Sequence, residues 1–122
     1  MPFVVLTTNI PDNKLPSDLN QSITQFLAGL FNKPAPDFSV IVDAGKRFTI
    51  GGTSEPAVML VIKSIGNYNE TANIKYAKEI SEFVQKNVGV GNDRCVIHFF
   101  PFETSEVSRF GTTIQEYRKN KK

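Results

Sequence analysis

The residues that build disulfides, metal centres and redox sites are scarce in this sequence. Its 122 residues include one cysteine, Cys95, one histidine, His98, and no tryptophan. A single cysteine excludes an internal disulfide and any paired-cysteine metal or redox motif. Because Cys95 stands in the strand-like segment RCVIHFF, it is expected to be a buried core thiol. No metal and no organic cofactor is predicted.

An excess of one charge sign and a long apolar run are also missing. The chain carries 14 basic and 12 acidic residues, and its one dense basic run is YRKNKK at positions 117–122. The sequence therefore has no basic face of the kind that binds nucleic-acid phosphates. No apolar run approaches the roughly 20 residues of a membrane-spanning helix. Nucleic-acid binding and membrane insertion are both disfavoured.

The start of the chain lacks the charged and apolar regions of a secretory signal, because TTNIPDNKLPSD interrupts the first apolar run. Synthesis in the cytosol is therefore expected. The length fits one domain spanning residues 1–122, large enough for a core yet small enough for oligomerisation to add stability. Residues 118–122 are expected to be a frayed basic tail.

Four short runs rich in Val, Ile and Phe predict β-strands. They form two pairs, and the two strands of each pair are separated by an amphipathic segment that is longer than either strand. The predicted strands are FVVLTT at 3–8, FSVIVD at 38–43, AVMLVIK at 57–63 and CVIHFF at 95–100.

The two amphipathic segments predict helices. The first spans 17–31, with Ser17 as the expected N-cap. The second spans 69–88, with Asn69 or Thr71 as the N-cap and Gly89 as the stop signal. The order is therefore strand, helix, strand, occurring twice.

A repeated motif indicates an internal duplication: the pattern PxVxL at 2–6 recurs at 56–60. Each βαβ unit forms a parallel pair of strands. The predicted fold is thus α+β, a four-stranded mixed sheet with two helices on one face. The strands are nearly continuously apolar, as in sheets that are covered on both sides. Because two helices cannot cover both faces, other copies of the chain are expected to cover the second.

Several short segments together carry a resemblance to a known family. They are MPFV and TNIP at the start, NKPA at 32–35, GGTSEP at 51–56, SIG at 64–66 and DRCVIHFFPFE at 93–103. With these segments at compatible spacing, the sequence resembles the macrophage migration inhibitory factor family of the tautomerase superfamily, and within it the D-dopachrome tautomerase branch. The resemblance runs along nearly the whole chain and leaves only the last residues unmatched.

The resemblance implies a homotrimer whose three sheets form a central barrel-like core. It also implies that Met1 is removed and that the free nitrogen of Pro2 is the catalytic base of a keto-enol tautomerisation. The family's lysine falls on Lys33, which would bind a substrate carboxylate or carbonyl, and its pocket isoleucine falls on Ile65. An α-amino group has a pKa near 8, and apolar surroundings and a nearby Lys33 cation would both lower it.

Each of these residues also has a plain structural interpretation. Pro2 alone is compatible with any permissive N-terminus, Lys33 with a basic residue favouring a helix C-terminus, and Ile65 with ordinary packing. Arg109 is either a second anion contact or a solvated surface residue. His98 is either a titratable pocket group or a structural residue alternating within its strand.

The sequence departs from the cytokine branch of the family at several positions. Val96 and His98 replace the tyrosine and asparagine that reach the pocket from the neighbouring subunit in that branch. Ala57 and Leu60 replace the cysteines of its CxxC motif, so no thiol-disulfide oxidoreductase activity is expected. The GG at 51–52 lacks the context of a phosphate loop and is predicted to be a turn.

The predicted function is therefore tautomerisation of a small carbonyl or enol compound that bears a carboxylate. Replacement of the polar pair favours D-dopachrome-like over hydroxyphenylpyruvate-like substrates, and decarboxylation of D-dopachrome is left open. The alternative is a cytokine-like ligand, released without a signal peptide, that binds a cell-surface receptor and keeps the pocket as a vestige.

Overall fold

A four-stranded mixed sheet forms the centre of the structure, a computed structural model that describes residues 1–120. The strands lie in the order β2-β1-β3-β4, with β1 parallel to β2, β3 parallel to β4, and β1 antiparallel to β3. The predicted sheet is confirmed, and each strand boundary agrees to within one residue. The strands are β1 Phe3–Thr8, β2 Ser39–Asp43, β3 Val58–Ser64 and β4 Cys95–Pro101.

Two long helices, α1 (Leu19–Phe31) and α2 (Glu70–Val88), are the crossovers of the two βαβ units. The side chain of Asn69 caps α2 by accepting a hydrogen bond of 2.8 Å from the N–H of Ala72, and Gly89 ends it with φ of 82°. The N-cap prediction for α1 is wrong by one residue. The cap is Asp18, whose side chain makes no capping hydrogen bond.

Both helices pack on the same face of the sheet, as predicted. The rings of Phe26 in α1 and Phe83 in α2 stack with centroids 4.4 Å apart, and the apolar stripes of the two helices meet the inward-facing residues of β1 and β3. The resulting core is continuous between the two units. Its buried members are Val4, Leu6, Leu19, Ile23, Leu27, Phe31, Val58, Leu60, Ile62, Ile80, Val84 and Val90.

The opposite face of the sheet is apolar at its centre, carries Lys63 and His98 on β3 and β4, and lacks a helical cover among the described residues. The strand register places Ile41, Val5, Val61 and His98 in one row across this face. Ile41 is 56% exposed, and Val96 and Phe100 on β4 are 46% and 39% exposed. Both long helices thus cover one face of the sheet, and the apolar centre of the other face is left uncovered. The sequence predicted this mismatch between apolar surface and helical cover.

The connection between β2 and β3 is held by hydrogen bonds rather than by a core of its own. Gly51 and Gly52 have φ of 60° and 78° and form a tight turn, closed by two hydrogen bonds between Ile50 and Thr53. This confirms the predicted turn. The Arg94 guanidinium donates to four backbone carbonyls of the same connection, those of Ile50, Thr53, Glu55 and Pro56.

The chain ends in a small hairpin and a third helix that the predicted architecture lacked. The hairpin pairs β5 (Ser108–Arg109) with β6 (Thr112–Thr113), and α3 (Ile114–Asn120) follows directly. Ile114 is buried, which fixes α3 against the rest of the fold. Residues 118–120 of the predicted frayed tail belong to this helix, and residues 121–122 lie outside the described residues.

Candidate active site

The N-terminus is buried at the point where β1 begins. Pro2 is less than 2% exposed, and Met1 is 8% exposed. The carbonyl of Pro2 accepts a hydrogen bond of 3.1 Å from the N–H of Ser39, which extends the pairing of β1 with β2 and fixes the position of Pro2. While Met1 is attached, the nitrogen of Pro2 belongs to an amide and has no basicity. Loss of Met1 would convert it into a secondary amine within the folded protein.

Lys33 lies just beyond the end of α1. Asn32 adopts a left-handed conformation with φ of 54°, and the N–H of Lys33 donates to the carbonyl of Ala28 at 3.0 Å. The Nζ atom of Lys33 donates to the carbonyl of Ile65, also at 3.0 Å. Since Ile65 directly follows β3, this bond joins the segment after α1 in the first βαβ unit to the first strand of the second unit, and it holds the ammonium in a defined place.

The charges around the N-terminus favour a neutral amine. Burial is the largest cause that lowers the pKa of the Met1 amino group, and the cations of Lys33 and Arg118 lower it further, whereas Asp37 opposes them. The pKa of Lys33 is lowered too, first by burial and then by Arg118. The two amines and Arg118 are therefore close enough to repel each other electrostatically.

A cavity of about 140 Å³ opens beside the N-terminus. Arg109 forms part of its wall, and its Nη1 atom donates to the carbonyl of Pro36 at 3.1 Å. Clefts of about 320 Å³ and 410 Å³ occur elsewhere on the surface but contain none of the predicted site residues. The cavity beside the N-terminus is lined by Met1, Asp37, Arg109, Phe110, Ile114, Tyr117 and Arg118.

The structure brings four of the five predicted site residues to this end of the sheet. Pro2 and Lys33 lie near each other at the N-terminus, Ile65 holds Lys33 through its carbonyl, and Arg109 lines the cavity. His98 lies elsewhere, opposite Val61 on the uncovered face, where its ring is 3.9 Å from that of Phe100. Val96 lies on the same face. Neither of these two β4 residues lines the cavity beside the N-terminus.

Two charged groups of the site were missed by the sequence analysis. Asp37 follows α1 in a short 3-10 turn, and Arg118 belongs to α3. Because residues 118–122 were expected to be a frayed tail, Arg118 was not considered as a site residue. The available signal was the spacing of Ile114, Tyr117 and Arg118, which places the three side chains on one helix face.

The described residues contain no group of three or more His, Cys, Asp or Glu side chains that could hold a metal ion. Among the helices within residues 1–120, none combines the length and apolar character required to cross a membrane. The groups that surround the N-terminus can bind an anion, polarise a carbonyl and exchange a proton.

The geometry around the N-terminus agrees with the comparison with known proteins. The family model described as "Macrophage migration inhibitory factor (MIF)" matches residues 1–115. The chain belongs to this family. This family member is 36% identical over 119 residues to the MIF-like protein mif-2 of Caenorhabditis elegans, covering 98% of the chain and 99% of that protein. It is 30% identical over 115 residues to the D-dopachrome decarboxylase of Bos taurus, covering 93% and 98%.

Solved structures support the same family fold. The macrophage migration inhibitory factor of Trichinella spiralis superposes with a TM-score of 0.87 at 25% identity, covering 91% of this chain and 98% of that one. The protein from Oncomelania hupensis reaches the same TM-score at 23% identity, covering 91% and 95%, which shows the shared fold. The matched family segment ends at Gln115, so most of α3 lies beyond it.

Proposed function

We propose that this family member catalyses keto-enol tautomerisation with the nitrogen of Pro2 as the base after loss of Met1. The observation that carries the proposal is the burial of the N-terminus beside Lys33 at the wall of a cavity. Membership of the family supports the reaction class. The base is thus a backbone nitrogen at a fixed place, and no Asp, Glu or His is required for that role.

The reaction moves one proton within the substrate. In the ketonisation direction, the unprotonated Pro2 nitrogen takes the proton of the enol hydroxyl as the carbonyl forms, and then delivers that proton to the neighbouring carbon. The reverse direction breaks that C–H bond and forms an N–H bond on Pro2. Lys33 binds the substrate carboxylate or carbonyl and stabilises the negative charge that develops on oxygen. Its bond to Ile65 keeps the ammonium oriented before substrate binds.

The electrostatic surroundings suit this role. Pro2 is even more buried than Met1, and the same Lys33 and Arg118 cations act on its region of the fold. Burial and neighbouring positive charge both disfavour an ammonium ion, so we expect the pKa of the free Pro2 nitrogen to fall below the ordinary value for an α-amino group. A larger fraction of the enzyme then carries the unprotonated base at neutral pH.

The uncovered sheet face supports a homotrimer. Val5 and Val61 occupy its centre, and Ile41, Val96 and Phe100 expose large apolar side chains around them. Packing three such faces around a common axis would cover them all, as the predicted barrel-like core requires. It would also bring β4 of one subunit, with His98, towards the neighbouring subunit. His98 is therefore a proposed pocket contact in trans, not in its own chain.

The substrate class we favour is D-dopachrome-like. Several similar proteins carry the name D-dopachrome decarboxylase, including those of cattle and chicken at 30% and 31% identity. In a decarboxylating reaction of this kind the substrate carboxylate leaves as CO₂ and its electron pair enters the ring. Lys33 can bind the substrate carboxylate whether the substrate is only tautomerised or is also decarboxylated.

An N-terminal extension tests the proposal. Protein retaining Met1, or carrying one alanine inserted ahead of Pro2, keeps the proline ring but acylates its nitrogen. Turnover of D-dopachrome should fall by at least about a hundredfold, the lower end of what a positioned general base contributes. Alanine inserted after Lys119 is the matched control. Equal rates in the extended and Met-free proteins would reject Pro2 as the base.

A further inference from the structure

The chain bends at residues 64–67, at the end of β3, and this bend carries the carbonyl that holds Lys33. The carbonyl belongs to the peptide group between Ile65 and Gly66, and it accepts the 3.0 Å bond from Nζ of Lys33. Gly66 has φ of 71°, in the left-handed region that favours glycine. A rotation of this one peptide group would turn the carbonyl away from the ammonium. The conformation of the bend therefore decides whether Lys33 is held.

Side chains at the two ends of the bend are bonded across it. The Oγ atom of Ser64 donates to Oδ1 of Asn67 at 2.6 Å. Ser64 is 0% exposed, and its backbone carbonyl accepts a bond of 3.3 Å from the N–H of Phe102. Because Ser64 is fixed by its burial and its backbone bond, its hydroxyl also fixes the amide of Asn67.

The other half of the Asn67 amide faces the end of α1. Its Nδ2 atom donates to the carbonyl of Phe31 at 3.4 Å. Phe31 is the last residue of α1, and a carbonyl at that place has no partner within the helix. The amide suits both neighbours, since its oxygen meets a hydroxyl and its N–H meets a carbonyl. From α2, the hydroxyl of Tyr76 donates to the backbone carbonyl of Asn67, also at 3.4 Å.

Two connections therefore run between the same two segments of the chain. One joins Asn67 to Phe31, and the other joins Ile65 to Lys33. Phe31 precedes Lys33 by two positions, and Asn67 follows Ile65 by two positions. The lysine side chain is long and loses much rotamer freedom when it is held, whereas the asparagine side chain is short. The asparagine is thus suited to fix the spacing at which the lysine reaches its acceptor.

We propose that Asn67 is a positioning residue, which holds the bend against α1 so that the Ile65 carbonyl fixes the Lys33 ammonium where a substrate carboxylate binds. This inference rests on the proposed function in one respect, because it takes Lys33 as the group that binds the carboxylate. Asn67 itself does not touch the substrate in this scheme. Its loss should weaken the binding of compounds that bear a carboxylate and leave the binding of compounds without one unchanged.

Two unreactive ligands that differ by one carboxylate test the inference. Indole-2-carboxylate has the fused rings and the carboxylate position of D-dopachrome, and indole has the rings alone. Their affinities for the Met-free protein are measured by calorimetry, which needs no turnover and so does not depend on Pro2 as the base. Asn67→Ala should weaken the binding of indole-2-carboxylate about fivefold, the effect of losing one ordinary hydrogen bond, and change that of indole by less than about twofold.

The Lys33→Met background shows whether Asn67 acts through Lys33. If it does, Asn67→Ala should change the affinity for indole-2-carboxylate by less than about twofold once Lys33 has been replaced, because the two effects are then not additive. An equal loss in both backgrounds, or an equal loss for indole, would overturn the inference.

The matched control is Asn87→Ala. Asn87 lies near the end of α2 and also donates its Nδ2 atom to a phenylalanine carbonyl of the last turns of a helix, that of Phe83 at 2.9 Å. The bond stays within α2 and holds none of the site residues. Its loss should leave both affinities unchanged. A selective loss for indole-2-carboxylate in this control as large as in Asn67→Ala would also overturn the inference.

Ser64→Ala is a second variant, which decides the question if Asn67→Ala does not fold. It removes the hydroxyl that fixes the Asn67 amide, and its loss of affinity should again be confined to indole-2-carboxylate. If Lys33→Met weakens this ligand but neither Asn67→Ala nor Ser64→Ala does, the inference is overturned and the proposed function stands. If Lys33→Met leaves the affinity unchanged, the role of Lys33 in the proposed function fails, and the inference fails with it.

Discussion

Among the side chains outside the apolar core, Asn9 is the one whose truncation should lower the free energy of unfolding most. It follows β1 and reaches the connection between β2 and β3. Its Nδ2 atom lies 3.1 Å, 3.0 Å and 2.9 Å from the carbonyls of Phe48, Ser54 and Glu55, and its Oδ1 atom accepts a bond of 3.0 Å from the N–H of Ala57. The amide thus ties the connection to the start of β3.

The cost of Asn9→Ala follows from what each partner loses. Ala57 is 0% exposed, so its N–H would be left buried without an acceptor, at a cost of about 1–3 kcal/mol. The bond to the part-buried carbonyl of Phe48 adds about 1 kcal/mol. The exposed carbonyls of Ser54 and Glu55 can bond to water instead. The free energy of unfolding should therefore fall by about 2–4 kcal/mol.

Urea unfolding followed by circular dichroism measures this change, at one fixed protein concentration because an oligomer's stability depends on concentration. Asn13→Ala is the control, since Asn13 is exposed in the loop after β1 and its replacement should change the free energy by less than about 0.5 kcal/mol. A change below about 0.5 kcal/mol in Asn9→Ala as well would refute the reasoning.

The remaining predictions concern the site and the assembly. Lys33→Met removes a cation that lowers the amine pKa, so the pKa of the Pro2 nitrogen should rise and the acidic limb of the pH-rate profile should move to higher pH, with a greater loss of rate at pH 6 than at pH 8. An unmoved limb would show that Lys33 does not act on the base. Val61→Asp places a carboxylate at the centre of the uncovered face, where burial in an interface would cost several kcal/mol per ion. Light scattering should then give a 13.6 kDa monomer, against about three times that mass for the wild type; an unchanged mass would argue against this face as the interface.

The sheet and its two long helices could be predicted because each has a strong local pattern. β1 has the same bounds in the prediction and in the structure, and Asn69 caps α2 as one of the two expected candidates. Runs of Val and Ile specify strands, and the amphipathic stripes specify helices that lie on one face. The nearly continuous apolar run of β4 likewise predicted apolar side chains on both faces of that strand.

The C-terminal helix was harder to predict because its pattern is weak and its stability comes from tertiary contacts. Seven residues are too few for a helix that is stable in isolation. The structure supplies the missing stabilisation by burying Ile114 and by stacking Tyr117 on Phe110. A basic composition near the end of the chain favoured the interpretation as a tail, and the contribution of Arg118 to the cavity was lost with it.

At the site, the residues could be predicted but their contacts could not. Pro2 and Lys33 were identified through the family motif, since nothing in their local sequence requires a site. Ile65 was expected to provide an apolar wall, whereas the structure shows its carbonyl accepting a hydrogen bond from Lys33. Such a bond forms only when tertiary folding brings the end of α1 close to the end of β3. Lys33 and Ile65 are 32 positions apart in the sequence, and a contact at that separation leaves no periodic signal.

The central claim is that the nitrogen of Pro2 is the base, and the most direct test is the pH-rate profile of the Met-free protein beside that of Pro2→Gly. Intact mass first verifies that Met1 is absent from both. The rate of the wild type should rise with pH through a pKa below the ordinary value for an α-amino group, and Pro2→Gly should be slower by at least about a hundredfold while the assembly is unchanged. Equal activity of the two proteins would contradict it.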